Sequence, residues 1–362
     1  MTYLDYAASS LKRKDVLQDL INKIEEYDGN PSSTHCLGRN SNKYLEKSRK
    51  IIASFINANP RDVYFTSGAS ESNNTIIKNF DKSDIQIIST KIEHKSVLES
   101  LENVNAEVIL IDAEKSGRIN FEELKNNITE KTKLVCVMYV NNETGIIQPI
   151  EEIGEYLRGR NIWFHVDAVQ ALGHIDIDVD KINCDSMSLS GHKLGAMNGF
   201  GVLYLRNKVK KFIHGGNQEN NQRAGSSNLL AAISMASCIE PTILERDRIW
   251  NVKEYFIEEL TNIPFEINGD QKYSTNHIVN IYFPFVKSDL LLTYLDMNGI
   301  YVSSGSACLA GALEPSYVIE NMYDKNRAKR SIRFSFGFSN TKEDIDRVIN
   351  VLTEFYERKS AK

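Results

Sequence analysis

A chain of 362 residues is too long for one minimal core and has room for a large domain with a smaller one beside it. With 41% hydrophobic and 25% charged residues it has the composition of an ordinary soluble globular protein, and a formal net charge of -5 argues against a dedicated nucleic-acid binder. No run approaches the roughly 18 apolar residues of a membrane span, and the opening MTYLDYAASSLKRK has no apolar leader segment, so a cytoplasmic protein without a membrane partner is expected.

In chain order, short apolar runs at 85–89 (IQIIS), 106–111 (AEVILI), 133–140 (KLVCVMYV), 161–167 (NIWFHVD), 184–190 (CDSMSLS) and 200–206 (FGVLYLR) alternate with helix-length amphipathic stretches. Those stretches are SESNNTIIKNF after Gly68, HKSVLESL after Glu93 and PIEEIGEYLRGR, with its proline at a first-turn position. This alternation predicts an α/β domain with a mainly parallel sheet. From about residue 246 the pattern changes to a polar helix, a strand NHIVNIYF, a helix SDLLLTYLDMNG, a strand SIRFSF and a last helix. We therefore expect a large domain over 15–245 and a smaller α+β domain formed by 1–14 with 246–362.

The five cysteines are odd in number, scattered and without a CxxC pair, which fits neither a disulfide framework nor a zinc site. Cys136, Cys184 and Cys238 lie in or beside apolar runs and read as small buried hydrophobes. Cys36, in NPSSTHCLG, has no single reading. Cys308, in YVSSGSACLAG, lies in a segment without apolar periodicity, so packing does not account for it.

Ligands of open α/β sheets bind beyond the carboxyl ends of the strands, which directs attention to the polar residues that follow each run. In FTSGASESNN a helix start at Ala69 and Ser70 either cradles an anion such as phosphate or is a plain cap, with Ser70 capping and Asn73 in the capping-box position. In FHVDAVQ, Asp167 ends a strand and Gln170 follows; Asp167 either holds a proton on a heterocyclic nitrogen or caps a helix. In SLSGHKLGAMNGFG, Lys193 stands just past a strand with Ser190, His192 and glycines at 195, 199 and 201 around it. Such a lysine is placed to form a Schiff base, though a surface lysine is the ordinary alternative. His94 in IEHKS either stacks on an aromatic ring and exchanges protons or only starts a helix. Asn141 in VNNETG offers amide donors or forms a turn. Arg333 in SIRFSFG either clamps a carboxylate or reaches solvent.

Together these segments resemble the NifS/IscS-type cysteine desulfurases, pyridoxal phosphate enzymes of the class V aminotransferase type. The resemblance runs nearly end to end through YLDYAASS, GNPSSTHCLGR, FTSGASESNN, EHKSV, NNETGIIQPIEEIG, FHVDAVQALG, SLSGHK, GGNQENNQRAGSSN, SSGSACLAGALEPSYV and SIRFSFG, in the family's order. It implies the aspartate aminotransferase-like transferase fold (fold type I), with Lys193 as Schiff-base lysine, Asp167 on the pyridinium nitrogen and Gln170 on the ring hydroxyl. His94 would stack on the ring and serve proton transfer; Ala69, Ser70, Ser190 and His192 would hold the phosphate; Asn141 and Arg333 would bind the substrate carboxylate. Ser226, in RAGS where the family has RSGT, would reach the phosphate of a neighbouring subunit, which implies a homodimer. Cys308 would be the catalytic thiol, on a small-domain loop, that takes sulfur from L-cysteine as a persulfide, leaves L-alanine, and passes the sulfur to an acceptor protein serving iron-sulfur cluster assembly or tRNA thiolation.

This chain departs from the family at GAMNGFG, which replaces a GPKGxG-like run, and at GGNQENNQRAG, where one arginine is missing. It also stops soon after its last helix, which turns the expectation toward a tRNA-thiolation or other dedicated acceptor. The alternatives are a selenocysteine lyase, another pyridoxal phosphate enzyme of the same type, or a scaffold that has lost the chemistry. An aminotransferase needs no mobile thiol, and a scaffold would not be expected to keep Lys193, Asp167 and Cys308 together.

Overall fold

The computed structural model describes residues 1–305 and 314–360. Its strands are β1 (Thr2–Tyr3), β2 (Val63–Thr66), β3 (Gln86–Thr90), β4 (Glu107–Ile111), β5 (Thr132–Met138), β6 (Trp163–Asp167), β7 (Ser186–Ser190), β8 (Gly201–Leu205), β9 (Glu266–Ile267), β10 (Ile278–Tyr282), β11 (Ile300–Tyr301) and β12 (Ser331–Ser335). The main sheet has the order β2-β8-β7-β6-β5-β3-β4, and β8 alone among these strands runs in the direction opposite to the others. The fold is thus the α/β, mainly parallel architecture that the alternating runs predict.

The strands read as unbroken apolar runs because both faces of the sheet are covered. Successive side chains serve opposite layers: Leu134 and Cys136 of β5 join the core that contains Ile76, Ile77, Val97 and Leu101, whereas Val135 and Val137 join the larger core with Ile52, Ile153 and Ile239. The helices Ala69–Asn79 and Lys95–Glu102 therefore cover one face, and Cys36–Ser54, Ile150–Leu157 and Leu229–Leu244 the other. Cys136, Cys184 and Cys238 are buried free thiols, which agrees with their reading as small hydrophobes; burial raises the thiol of Cys238 to about 12 and those of the other two as well. Cys36 is exposed at the start of its helix.

A separate cluster gathers Leu4 with residues from Ile249 to Phe355, packed around β10 and β12. The N-terminal arm belongs to it: β1 pairs in parallel with β11, and Asp5 bridges to Ser335 at the end of β12. Among the described residues no helix is long and apolar enough to cross a membrane.

Two local expectations change. Gly68, not Ser70, is the N-cap of Ala69–Asn79, so neither Ser70 nor Asn73 is spent on capping. Pro149 is the N-cap of Ile150–Leu157 rather than a residue of its first turn.

Candidate active site

The carboxyl ends of β2, β3, β5, β6 and β7 open on one cavity of about 690 Å³, lined among others by Ser67, His94, Asn142, Asp167, Lys193 and Arg333. The parallel topology produces this convergence, since every such strand ends on the same edge of the sheet.

Lys193 follows β7 in a short 3₁₀ turn closed by Gly195 at φ 86, a left-handed position where a Cβ would meet Leu11 O at 2.7 Å. Its Nζ donates to Ala7 O at 2.6 Å and Ala8 O at 2.7 Å. Burial, helped by the charge of Arg333 and opposed by Asp5 and Asp167, pushes the amine down to about 7. A substantial fraction is then the neutral nucleophile at physiological pH.

Asp167 ends β6 and is buried. Asn73 Nδ2 donates to its Oδ2 at 2.9 Å, and Val169 N to its Oδ1 at 3.1 Å. Gln170 lines the cavity, where its Nε2 donates to Ala7 O at 2.9 Å and its Oε1 accepts from His277 Nε2 at 3.2 Å. His94 caps Lys95–Glu102, its Nδ1 accepting from Ser96 N at 3.1 Å, and burial lowers its basicity.

The anion end is formed by the start of Ala69–Asn79, by Ser70, and by Ser190 and His192, whose Oγ and Nδ1 lie 2.8 Å apart. The first-turn N–H groups have no carbonyl behind them, as at any helix start. His192 is depressed to about 4 by burial and by Lys193. Arg333, 2% exposed, donates from Nη2 to Asp5 Oδ1 at 2.7 Å and from Nη1 to Asn142 O at 2.9 Å. Its buried Nε and the buried Oδ1 of Asn142 have no partner.

Asn141 does not line the cavity. Asn141 is fully buried outside the cavity lining, its Oδ1 accepting from Glu143 N, Thr144 N and Thr144 Oγ1 and its Nδ2 donating to Ile92 O. It is a turn residue, and its neighbour Asn142 faces the cavity instead. Ser226 does not line this cavity either; it lies in a smaller adjoining hollow with Arg223, and Ser67 and Gly199 line both. Cys308 lies outside the described residues, and Gly305, the last one described before it, lines the cavity. The sequence reading missed Asn142 and the carbonyls of Ala7 and Ala8, and gave Asn73 only a capping-box position; of the missed groups Asn142, beside Asn141, carried a signal.

A carboxylate, a nucleophilic amine and an anion cradle in one cavity fit a phosphorylated heteroaromatic aldehyde, and the unpartnered Arg333 Nε and Asn142 Oδ1 leave polar capacity for a bound amino acid. Residues 2–348 match the aminotransferase class-V family. The chain is 38% identical over 372 residues to cysteine desulfurase IscS of Dictyoglomus turgidum, covering 98% of this chain and 94% of that one. A solved NifS-like protein superposes with a TM-score of 0.91 at 30% identity, covering 99% of both chains. A solved structure described as SspA in complex with cysteine gives 0.83 at 31% identity, covering 93% of this chain and 99% of the other.

Proposed function

The chain belongs to the class-V aminotransferase family and is a pyridoxal phosphate-dependent cysteine desulfurase; from that premise we propose which residues perform the reaction and where the sulfur goes. The observation that carries the assignment is the placing of Lys193, just past β7, in the cavity that also holds Asp167 and Arg333.

When bound, pyridoxal phosphate supplies an aldehyde for amine exchange and an electron sink that weakens the bonds at the substrate's Cα. The first-turn N–H groups of Ala69 and Ser70, the Ser70 and Ser190 hydroxyls and His192 hold its phosphate. Asp167 would keep a proton on the ring nitrogen, and Gln170 would bond the ring hydroxyl. Arg333 and the side-chain NH₂ of Asn142 would receive the α-carboxylate of L-cysteine. Lys193 Nζ would move the Cα proton, and His94, also in the cavity lining, would exchange protons with the substrate. The Cys308 thiolate attacks the substrate sulfur: an S–S bond forms, the substrate C–S bond breaks, and the three-carbon product takes up a proton at Cβ to leave as L-alanine. The sulfur departs as a persulfide on Cys308.

In this reading the protein works as a homodimer, with Ser226 reaching the phosphate site of the other subunit from the hollow beside Gly199. It resides in the cytoplasm, and its acceptor is a protein of tRNA thiolation or iron-sulfur cluster assembly. The test is release of alanine and sulfide from L-cysteine by the purified yellow protein. Loss of both in Lys193→Ala and of sulfur transfer in Cys308→Ala is expected; sulfur mobilised by Cys308→Ala at the wild-type rate contradicts the role of that thiol.

A further inference from the structure

We infer that Asn73 is a positioning residue that orients Asp167 and His94 as a unit, at the centre of a buried hydrogen-bond chain running back to Trp163. This rests on the roles given to Asp167 and His94 above.

Asn73 is wholly buried on the inner side of Ala69–Asn79. Its Nδ2 donates both to Asp167 Oδ2 and to Ser96 Oγ, each at 2.9 Å. Its Oδ1 lies 3.0 Å from His165 Nε2, and His165 Nδ1 lies 2.8 Å from Ser186 Oγ. Trp163 Nε1 donates to that same Ser186 Oγ at 2.7 Å. Ser96 Oγ stands 2.9 Å from His94 Nδ1.

The direction of each bond follows from the ends. A carboxylate only accepts, so Asn73 must present its NH₂ to Asp167 and its oxygen to His165. His165 must then carry its proton on Nε2, which leaves Nδ1 to accept from the Ser186 hydroxyl. Trp163 N–H, which can only donate, occupies the other side of that hydroxyl, so the ordering is consistent from both ends. Ser188 Oγ, 3.3 Å from His165 Nε2, is a weaker second neighbour. His165 is buried and depressed to about 3, so it is the neutral form that fixes the chain. On the other branch, Ser96 Oγ receives from Asn73 and gives its own hydrogen to His94 Nδ1, which Ser96 N also reaches. His94 is thereby held neutral with its proton on Nε2.

One amide thus performs two tasks. It orients the Asp167 carboxylate by donating to its Oδ2, and it fixes the tautomer of His94 through Ser96. Neither residue touches the other among the bonds described, and Asn73 is the link between them.

The test is a pH titration of the visible band of the purified holoenzyme without substrate, with kcat and KM for L-cysteine measured beside it. Asn73→Ala removes the donor, which makes Asp167 more basic and draws the ring proton toward it. Asn73→Asp sets a second carboxylate against Asp167, and the two must share a proton. In both variants the band's titration midpoint is expected to rise by about one pH unit, and kcat to fall about tenfold with KM within about twofold of wild type. His165→Leu, which leaves Asn73 in place but removes what orients its amide, is expected to show a smaller shift of the same sign and serves if the Asn73 variants fold poorly. Wild-type midpoints and kcat in all three variants, with only a lowered melting temperature, would overturn the inference. A wild-type protein with no visible band at all would instead overturn the cofactor reading on which it rests.

Discussion

Asp5 forms an ion pair 2.7 Å long with Arg333, which lines the cavity, and so joins the N-terminal arm to the last strand. The guanidinium is almost fully buried and its second Nη is engaged by Asn142 O, so under the role proposed for Arg333 the Asp5 carboxylate competes with that of the substrate. On that proposal, binding of L-cysteine exchanges one carboxylate for another. Asp5→Asn, which keeps the shape and removes the competing charge, is expected to lower KM about fivefold, an effect of ~1 kcal/mol for a hydrogen-bonded charge pair. Arg333→Ala is expected to raise KM by more than tenfold, since it also leaves Asp5 without its partner. Steady-state kinetics decide this, and a KM that rises in Asp5→Asn contradicts the competition.

The depressed amine of Lys193 predicts how the apoenzyme captures pyridoxal phosphate. Below pH 7 the amine is mostly protonated and cannot attack; above it the neutral form dominates. The capture rate, followed by absorbance after mixing, is expected to climb through pH about 7 and level off roughly one unit higher. A rate that keeps rising toward the ordinary lysine range near 10.5 contradicts the shift.

Glu93, fully buried behind His94, is pushed up to about 8 by desolvation. Its Oε1 accepts from Thr90 Oγ1 and Met138 N while Oε2 has no partner. Below the ordinary carboxylate value of 4.5 the folded and unfolded chains both hold the proton, and the shift contributes nothing. Between there and about 8 only the unfolded chain releases it, so folding stability falls as pH rises, by a few kcal/mol in all. Glu93→Gln is expected to flatten this dependence in urea unfolding at pH 5 and pH 8.5, values chosen to bracket roughly the window of that linkage. Equal slopes in both proteins contradict the prediction.

Gly145, which closes the turn that aims Asn142 at the cavity, has φ 74, and a Cβ there would meet Ile278 O at 2.9 Å. Gly145→Ala combines left-handed strain with a backbone clash and is expected to cost about 1–3 kcal/mol in urea unfolding, with a raised KM as Asn142 shifts. Stability and KM both unchanged contradict this account of the turn.

Much of the site was legible because its residues stand where strands end. The run NIWFHVD announced β6, and Asp167 at its tip follows from the parallel sheet; the same reasoning reaches Ser190 through β7 and His94 just beyond β3. Asn141 and Asn142 could not be separated that way. They are neighbours of one type, and the choice depends on Asn141 being consumed by the amides of Glu143 and Thr144. The link from Asn73 to His165 was equally hidden, since it joins residues 92 apart that pattern alone does not bring together. Asp5 was overlooked because its placing comes from a bridge to Ser335 and an ion pair to Arg333 of β12, contacts between residues far apart in sequence.

The central claim is that Lys193 and Cys308 act in sequence on L-cysteine. Mass spectrometry of the holoenzyme after a single equivalent of L-cysteine tests it most directly. The account predicts one added sulfur atom on the Cys308 peptide, matched by an equal amount of alanine, with neither seen in Lys193→Ala and no retained sulfur in Cys308→Ser. Sulfur retained on another thiol, such as the exposed Cys36, or alanine formed in full by Cys308→Ser at the wild-type rate, would contradict it.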